Sequence, residues 1–73
     1  KKLEAEKIHE FLGMLPEKYR NVLVLHFLEE KSYEEVSDIL QIPPGTVATY
    51  LRRGKEAFHG LLKKYYDLSS PQP

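Results

Sequence analysis

The sequence predicts an all-α domain of four helices. Four stretches repeat apolar residues every three or four positions, and none alternates apolar and polar residues as a half-buried strand would. The chain has 73 residues, enough for one small core and too few for two. It contains no cysteine, which excludes a disulfide scaffold and a thiolate zinc site. Helix packing alone must therefore hold the domain together.

The first two predicted helices cover residues 3–15 and 16–28. Pro16 separates them, because proline fits the first turn of a helix and is poorly tolerated further in. The first helix has one apolar face, formed by Ile8, Phe11, Leu12 and Leu15. Between residues 22 and 28 His26 alone is polar, which predicts that the second helix lies at the centre of the domain.

A capping signal predicts that the third helix begins near Tyr33. Ser32 and Glu35 have the S-x-x-E spacing, in which each side chain accepts a hydrogen bond from the other residue's backbone N–H. The helix is expected to end by Gln41, because two prolines follow and residues 41–43 form a tight turn. Its predicted apolar face consists of Tyr33, Val36, Ile39 and Leu40.

The fourth predicted helix, residues 44–65, has the clearest pattern. On a wheel of about 100° per residue, its buried stripe falls within about 60° of Val47. The stripe consists of Tyr50, Leu51, Gly54, Phe58, Leu61, Leu62 and Tyr65. The side chains that point away from it are small or basic, namely Ala48, Thr49, Arg52 and Arg53. Residues 66–73 are expected to form a disordered tail.

The two halves of this neutral chain carry opposite charge. Residues 1–41 contain six Lys or Arg and nine Asp or Glu, a net charge of −3, whereas residues 42–66 contain five and one, a net charge of +4. Charges act over about 10 Å at ordinary ionic strength, so a local basic segment is enough to attract a polyanion. The carboxyl half is therefore the candidate nucleic-acid-binding segment.

The third and fourth helices, joined by a turn of three or four residues, have the helix-turn-helix arrangement. The second helix of that motif must come close to base edges, and its small first-turn residues leave room for this. Arg52 and Arg53 can then reach phosphates or guanine edges. A plain helical bundle with a solvated basic face would show the same periodicity, so periodicity alone leaves both interpretations open.

Four blocks of sequence resemble region 4 of bacterial sigma factors, most closely the extracytoplasmic-function (ECF) group. They are LPEKYRNVL at 15–23, SYEEV at 32–36, IPPGTV at 42–47 and LRRGK at 51–55. The resemblance covers about residues 15–62. It implies a cytoplasmic protein that binds double-stranded promoter DNA at the upstream, minus-35 element. It also implies docking on the flap of the β subunit of core RNA polymerase, and an anti-sigma factor is a further candidate partner.

The resemblance also implies which residues face DNA. Carried over by position, they are Thr46, Ala48, Thr49, Arg52, Arg53 and Lys55, with Lys55 near the phosphate backbone. The DNA-binding domain is expected to span residues 16–65, after an amino-terminal helix or linker over residues 1–15. Its predicted buried set is Val22, Leu23, Phe27, Val36, Ile39, Leu40, Val47, Leu51 and Phe58.

Three positions depart from the family pattern. Gln41 stands where glycine is usual, and a left-handed backbone there would cost about 1 kcal/mol. Tyr50 stands where a basic residue is common, which removes one potential DNA contact. Gly54 replaces alanine and lowers helix propensity by about 1 kcal/mol. We expect these changes to alter promoter preference more than fold.

Two other functions fit parts of the sequence. A LuxR-type helix-turn-helix regulator has a similar Thr-Val opening and hydrophobic spacing, although residues 15–20 and 52–55 favour a sigma factor. A helical protein-interaction module bound by an anti-sigma factor would suit the acidic amino half. The apolar faces on residues 8–15 and around Val24, Leu25 and Leu28 exceed what so small a core should cover, so we expect them to dock the β flap or a regulator.

No enzyme, cofactor or metal site is expected. His9-Glu10 begins an H-E-x-x-H zinc motif, but Gly13 occupies the place of the second histidine. The acidic residues around the third helix lack the spacing of a calcium loop. No nucleophile, base and orienting group can be assembled. The longest apolar run, residues 22–25, is far shorter than the roughly 20 residues that span a bilayer, so no membrane partner is expected.

Overall fold

The computed structural model describes the backbone of residues 5–69 and the side chains of residues 5–65. Throughout this part of the chain the regular structure is helical. The helices are α1 (Ala5–Gly13), α2 (Glu17–Leu23), α3 (Tyr33–Leu40) and α4 (Pro44–Ser69), and α2 continues directly into a π-helical turn, Val24–Leu28. The prediction of an all-α, four-helix domain with a helix-turn-helix is confirmed, and the described residues add no strand that could form a wing.

Both ends of α3 lie where the sequence predicts them. Ser32 Oγ accepts a hydrogen bond from the Glu35 N–H at 3.1 Å, and Glu35 Oε1 accepts one from the Ser32 N–H at 2.8 Å. Gln41 ends the helix in the left-handed conformation, with φ 58° and ψ 47°. Its Nε2 donates to the Asp38 carbonyl at 2.7 Å, which supplies a hydrogen bond that glycine could not make there. Residues 41–43 form the turn, and α4 begins at Pro44.

The connection from α2 to α3 contains a feature that the sequence does not predict. At Val24 the helix widens, so that the Glu29 N–H donates to the carbonyl five residues earlier, at 3.0 Å. Glu30 then turns the chain with a φ of 59°. His26 Nδ1 donates to the Lys31 carbonyl at 2.8 Å and so closes the connection. His26 therefore has a structural role in a stretch for which the pattern predicts a regular α-helix.

The core lies where α2 crosses α4, and α1 and α3 complete it. Its buried side chains are Phe11, Leu12, Leu15, Val22, Leu23, Val36, Val47 and Leu51. Five of the nine predicted core residues belong to this set, and Leu40 and Phe58 pack against it half-buried. The helical periodicity therefore places most of the core correctly.

Phe27 and Ile39 are not buried, contrary to the prediction. Phe27 is 51% exposed and Ile39 is 52% exposed. Phe27 lies in the π turn, where the wider winding moves side chains away from the face that an α-helix would give them. On α3, Val36 is buried and Leu40 is half-buried, and Ile39 lies about 100° from Leu40 around the helix. The buried side of α3 is narrower than its apolar stripe.

Helix α1 shares the same core, since it packs on the second half of α4. The Phe11 ring meets the Phe58 ring edge to face with centroids 6.2 Å apart, and the Tyr65 ring at 5.5 Å. Arg20 Nη1 donates to the Leu15 carbonyl at 2.9 Å and so ties α2 to the end of the preceding segment. The segment before residue 16 thus contributes directly to the packing of the helix-turn-helix.

Helix α4 extends to Ser69, four residues beyond its predicted end. Residues 61–69 contain no glycine or proline that would stop it. Of the predicted tail, residues 66–69 therefore belong to α4, and residues 70–73 lie outside the described residues. No helix in the described part of the chain combines the length and apolarity needed to cross a bilayer.

Candidate nucleic-acid interface

The candidate interface is the face of α4 that is turned away from the core. The first turn is anchored by Pro43, whose carbonyl accepts hydrogen bonds from the N–H groups of Thr46 at 3.0 Å and Val47 at 3.1 Å. Val47 and Leu51 are buried, with exposed fractions of 0% and 2%. Burial of these two side chains fixes the rotation of α4 about its axis, and so determines which residues face outward.

The structure places the six predicted DNA-facing residues in the first half of α4. Ala48, Arg52, Arg53 and Lys55 are exposed, whereas Thr46 and Thr49 are half-buried. Relative to Val47, Arg52 lies about 140° and Arg53 about 240° around the helix, so they occupy the two sides of one outward face. Ala48 precedes Arg52 by one turn, and its small side chain leaves room for a base edge.

Lys55 lies at one edge of this face rather than at its centre. Its Nζ is 5.6 Å from the centroid of the Phe27 ring, within the range of a cation–π contact. Phe27 belongs to the π turn, so Lys55 marks the boundary between the arginine face of α4 and the exposed aromatic surface beside it. Lys55 is itself exposed.

A second lysine, which the sequence pattern does not single out, lies at the opposite edge. Lys18 comes from α2, and its Nζ lies 5.3 Å from the Tyr19 ring centroid and 5.5 Å from the Tyr50 ring centroid. The two rings meet edge to face with centroids 5.7 Å apart. No local pattern predicts this arrangement, because it depends on the angle at which α2 crosses α4.

That crossing is close because position 54 has no side chain. A Cβ atom built on Gly54 would stand 3.2 Å from Leu23 Cδ1 and 3.3 Å from Tyr19 Cβ, tighter than normal van der Waals contact. Gly54 is buried between the two helices. The glycine that lowers the helix propensity of α4 therefore lets α2 lie near enough to bring Lys18 and Tyr19 to Tyr50.

An apolar groove lies beside the arginine face, between α1, the end of α2 and the second half of α4. Its volume is about 300 Å³. Its lining residues are Ile8, Leu12, Leu23, Phe27, Leu28, Lys55, Phe58, His59 and Leu62. Phe27 and Leu28 are about half exposed, at 51% and 50%. The groove thus presents apolar surface next to the Lys55 and His59 side chains.

The acidic residues of α3 have a structural explanation at one position. The backbone N–H of Ser32, which donates to the Glu35 carboxylate, holds the pKa of Glu35 below its ordinary value, and the nearby Lys31 charge acts in the same direction. The Glu35 carboxylate therefore serves to cap the helix. Across the side chains of residues 5–65, no three His, Asp or Glu residues lie together as a metal site would require.

Comparison with known proteins decides the family. The model of the family described as "Sigma-70, region 4" matches residues 5–58, well over half of the chain. The chain belongs to the sigma-70 region 4 family. The match includes α1, which lies outside the resemblance seen in residues 15–62, and this agrees with the burial of Phe11 and Leu12 in the shared core. The LuxR-type alternative is not favoured.

Two relatives share most of this region 4 domain. The chain is 49% identical over 59 residues to the ECF RNA polymerase sigma factor SigW of Bacillus subtilis, covering 81% of this chain and 32% of that protein. It is 36% identical over 56 residues to the RNA polymerase sigma-H factor of Pseudomonas aeruginosa, covering 77% of this chain and 29% of that protein. The chain thus spans about a third of the length of these relatives.

Proposed function

We propose that this region 4 domain recognises promoter DNA as part of an ECF-type sigma factor, with α4 in the major groove of the minus-35 element. The observation that carries the proposal is the pair of exposed arginines, Arg52 and Arg53, on a helix whose opposite face is locked into the core by Val47 and Leu51. A recognition helix needs this combination, because base reading requires a fixed helix rotation and donors that point outward.

The two arginines have different roles in this proposal. Arg52 follows Ala48 by one turn on the same line of the helix, so its guanidinium extends over the base edges that the small Ala48 side chain approaches. There it donates two hydrogen bonds to the O6 and N7 atoms of a guanine. Arg53 follows Thr49 by one turn on the other flank and binds a backbone phosphate. Thr46 and Lys55 make further contacts with DNA at the edges of the major groove.

The charge of the domain implies modest affinity when it acts alone. The basic residues in the first half of α4, Arg52, Arg53 and Lys55, can neutralise about three phosphates, so log K should fall against log salt concentration with a slope of about −3. A rise from 50 to 200 mM salt would then weaken binding by about two decades. Attachment to polymerase raises the effective concentration of the domain at the promoter and compensates for this weakness.

Selection from a pool of random duplexes tests the DNA-reading function with no promoter sequence assumed. The 73-residue chain is expected to enrich one short motif, and to bind the enriched duplex more tightly than a scrambled duplex of the same composition. A pool that remains random after several rounds, with equal binding to both duplexes, would contradict sequence reading. It would favour instead a domain that mainly binds protein partners.

The apolar groove is the surface that we propose for docking on the β flap of core RNA polymerase. Exposed Phe27 and Leu28 provide the anchors, and the groove is large enough to receive apolar side chains of a partner. Lys55 lines the groove at the Arg52 edge of the arginine face, so a bound flap would sit beside the DNA-reading face. An anti-sigma factor that filled the same groove would exclude the flap.

Binding of the isolated β flap tests this docking surface. Phe27→Ser should weaken flap binding at least tenfold, because it removes an anchor from the groove. Met14→Ser is the matched control, since Met14 is 60% exposed and does not line the groove. Both sites are exposed, so neither change should lower the melting temperature appreciably. Equal flap binding by both variants and the parent would contradict docking in the groove.

A further inference from the structure

Lys18, Tyr19 and Tyr50 form a cluster, the Lys18 cluster, beside the arginine face of α4. The Tyr19 and Tyr50 rings meet edge to face, and Lys18 Nζ lies within 5.5 Å of both ring centroids. At that distance the electron-rich rings attract the ammonium group. The two rings thus hold the Lys18 side chain, which has four rotatable bonds, in one region of the surface. Lys18 nevertheless remains exposed.

The cluster continues the basic flank of the recognition helix. Residues three and four apart on a helix are surface neighbours, with Cβ atoms about 5–6 Å apart. Tyr50 lies three residues before Arg53 and four residues after Thr46. Lys18 therefore places a positive charge next to the side of α4 that carries Arg53, although it belongs to a different helix.

The charge on Lys18 is not neutralised by an acidic neighbour. Among the side chains of residues 5–65, Lys7 forms an ion pair with Glu10 on α1 at 3.4 Å, whereas Lys18 forms no ion pair. Its contacts are the two aromatic rings, which leave the full positive charge available. An ammonium that is accessible, held in place and free of a carboxylate partner is suited to bind an anionic oxygen.

We propose that Lys18 binds a DNA backbone phosphate on the strand that flanks the Arg53 side of α4, with Tyr19 and Tyr50 as positioning residues. This inference rests on the proposed function. Because the two rings already restrict the lysine, it loses less side-chain freedom when the phosphate arrives. A phosphate contact positions the protein without reading sequence, so Lys18 should strengthen binding to every duplex alike.

Salt titrations of duplex binding test the inference on the 73-residue chain. Lys18→Ala should make the slope of log K against log salt shallower by about 0.9 on both the enriched and the scrambled duplex. A salt rise from 50 to 200 mM should then weaken the variant about three- to fourfold less than it weakens the parent. Lys18→Arg should keep the parent slope.

Lys64→Ala is the matched control, because it also removes an exposed lysine. Lys64 lies about 16 Å along α4 from Arg53, which is farther than the Debye length of about 10 Å. Lys64→Ala should therefore keep the parent slope of log K against log salt concentration. Tyr50→Leu should weaken binding to both duplexes, whereas Tyr50→Phe, which retains the ring, should not. Melting curves confirm that each variant is folded.

Two results would overturn the inference. A parent-like slope for Lys18→Ala on both duplexes would show that Lys18 contacts no phosphate. A loss of affinity confined to the enriched duplex would show that it reads a base. If the parent chain itself bound neither duplex, the proposed function would fail together with this inference, whereas normal parent binding with an unchanged Lys18→Ala slope overturns the inference alone.

Discussion

Gly54 and Leu23 meet at the point where α2 crosses α4, and a Cβ atom at position 54 would stand only 3.2 Å from Leu23 Cδ1. Sequence alone presents Gly54 as a weakness, because glycine lowers helix propensity by about 1 kcal/mol. The structure explains it as a close approach of two helices. The same approach sets the distance between the arginine face and the residues that α2 contributes beside it.

A comparison of two glycines in α4 tests this explanation. A Cβ atom added at Gly60 would meet no other atom within 4 Å, so Gly60→Ala should raise the free energy of unfolding by about 0.5–1 kcal/mol. Gly54→Ala should raise the free energy of unfolding by less, because Leu23 must move to make room for the added methyl group. Gly54→Leu should destabilise the domain by about 1–3 kcal/mol through overpacking. Urea denaturation measures all three values, and a stable Gly54→Leu variant would refute the close approach.

Leu51 fixes the rotation of α4, so its truncation should be costly. Leu51 is 2% exposed, and Leu51→Ala should lower the free energy of unfolding by about 2–5 kcal/mol. That is a large part of the stability of a domain of this size. Ile39→Ala is the control, since Ile39 is 52% exposed and should lose less than about 1 kcal/mol. An unchanged melting temperature for Leu51→Ala would mean that α4 is rotated differently.

The capping box of α3 should make stability depend on pH in acid. The pKa of Glu35 in the folded chain is lowered from its ordinary value of 4.5 by the Ser32 backbone hydrogen bond. Its contribution is therefore fully present above pH 4.5 and is lost as the pH falls through the lowered folded pKa. Glu35→Gln should flatten this part of the stability curve.

Glu34→Gln provides the control for that measurement, because Glu34 is exposed on the same helix turn and lies outside the capping box. Its melting temperature should fall in acid as the parent's does. If the Glu35→Gln curve runs parallel to the parent curve from neutral pH to the acid limit of folding, the cap contributes no pH dependence. The outcome separates a specific hydrogen bond from the general effect of protonating carboxylates.

Local signals predict the helices and turns of this domain well. The capping box at Ser32, the turn at residues 41–43 and the left-handed Gln41 all depend on residues within a few positions of one another. The sequence does not reveal the π turn, because the widened hydrogen bond of Glu29 and the closing bond from His26 depend on where the next helix packs. That is why Phe27 fits the core pattern of an α-helix and is exposed in the fold.

Some features of the candidate site can likewise be predicted from the sequence, and others cannot. The exposure of Arg52 and Arg53 follows from the helical wheel, since buried Val47 and Leu51 are on the same helix. The contributions from other helices do not follow from it. Lys18 reaches Tyr50 only through the crossing of α2 and α4, and Lys55 meets Phe27 only through the π turn. The residue pattern of one helix does not determine the distance between two helices.

We propose that α4 reads DNA with Arg52 on a base edge and Arg53 on a phosphate. Titration of Arg52→Ala and Arg53→Ala against the enriched and scrambled duplexes, at several salt concentrations, distinguishes these two roles. Arg52→Ala should lose about 1–3 kcal/mol on the enriched duplex only. Arg53→Ala should weaken binding to both duplexes and reduce the salt slope by about one. If both variants match the parent on both duplexes, α4 is not the recognition helix.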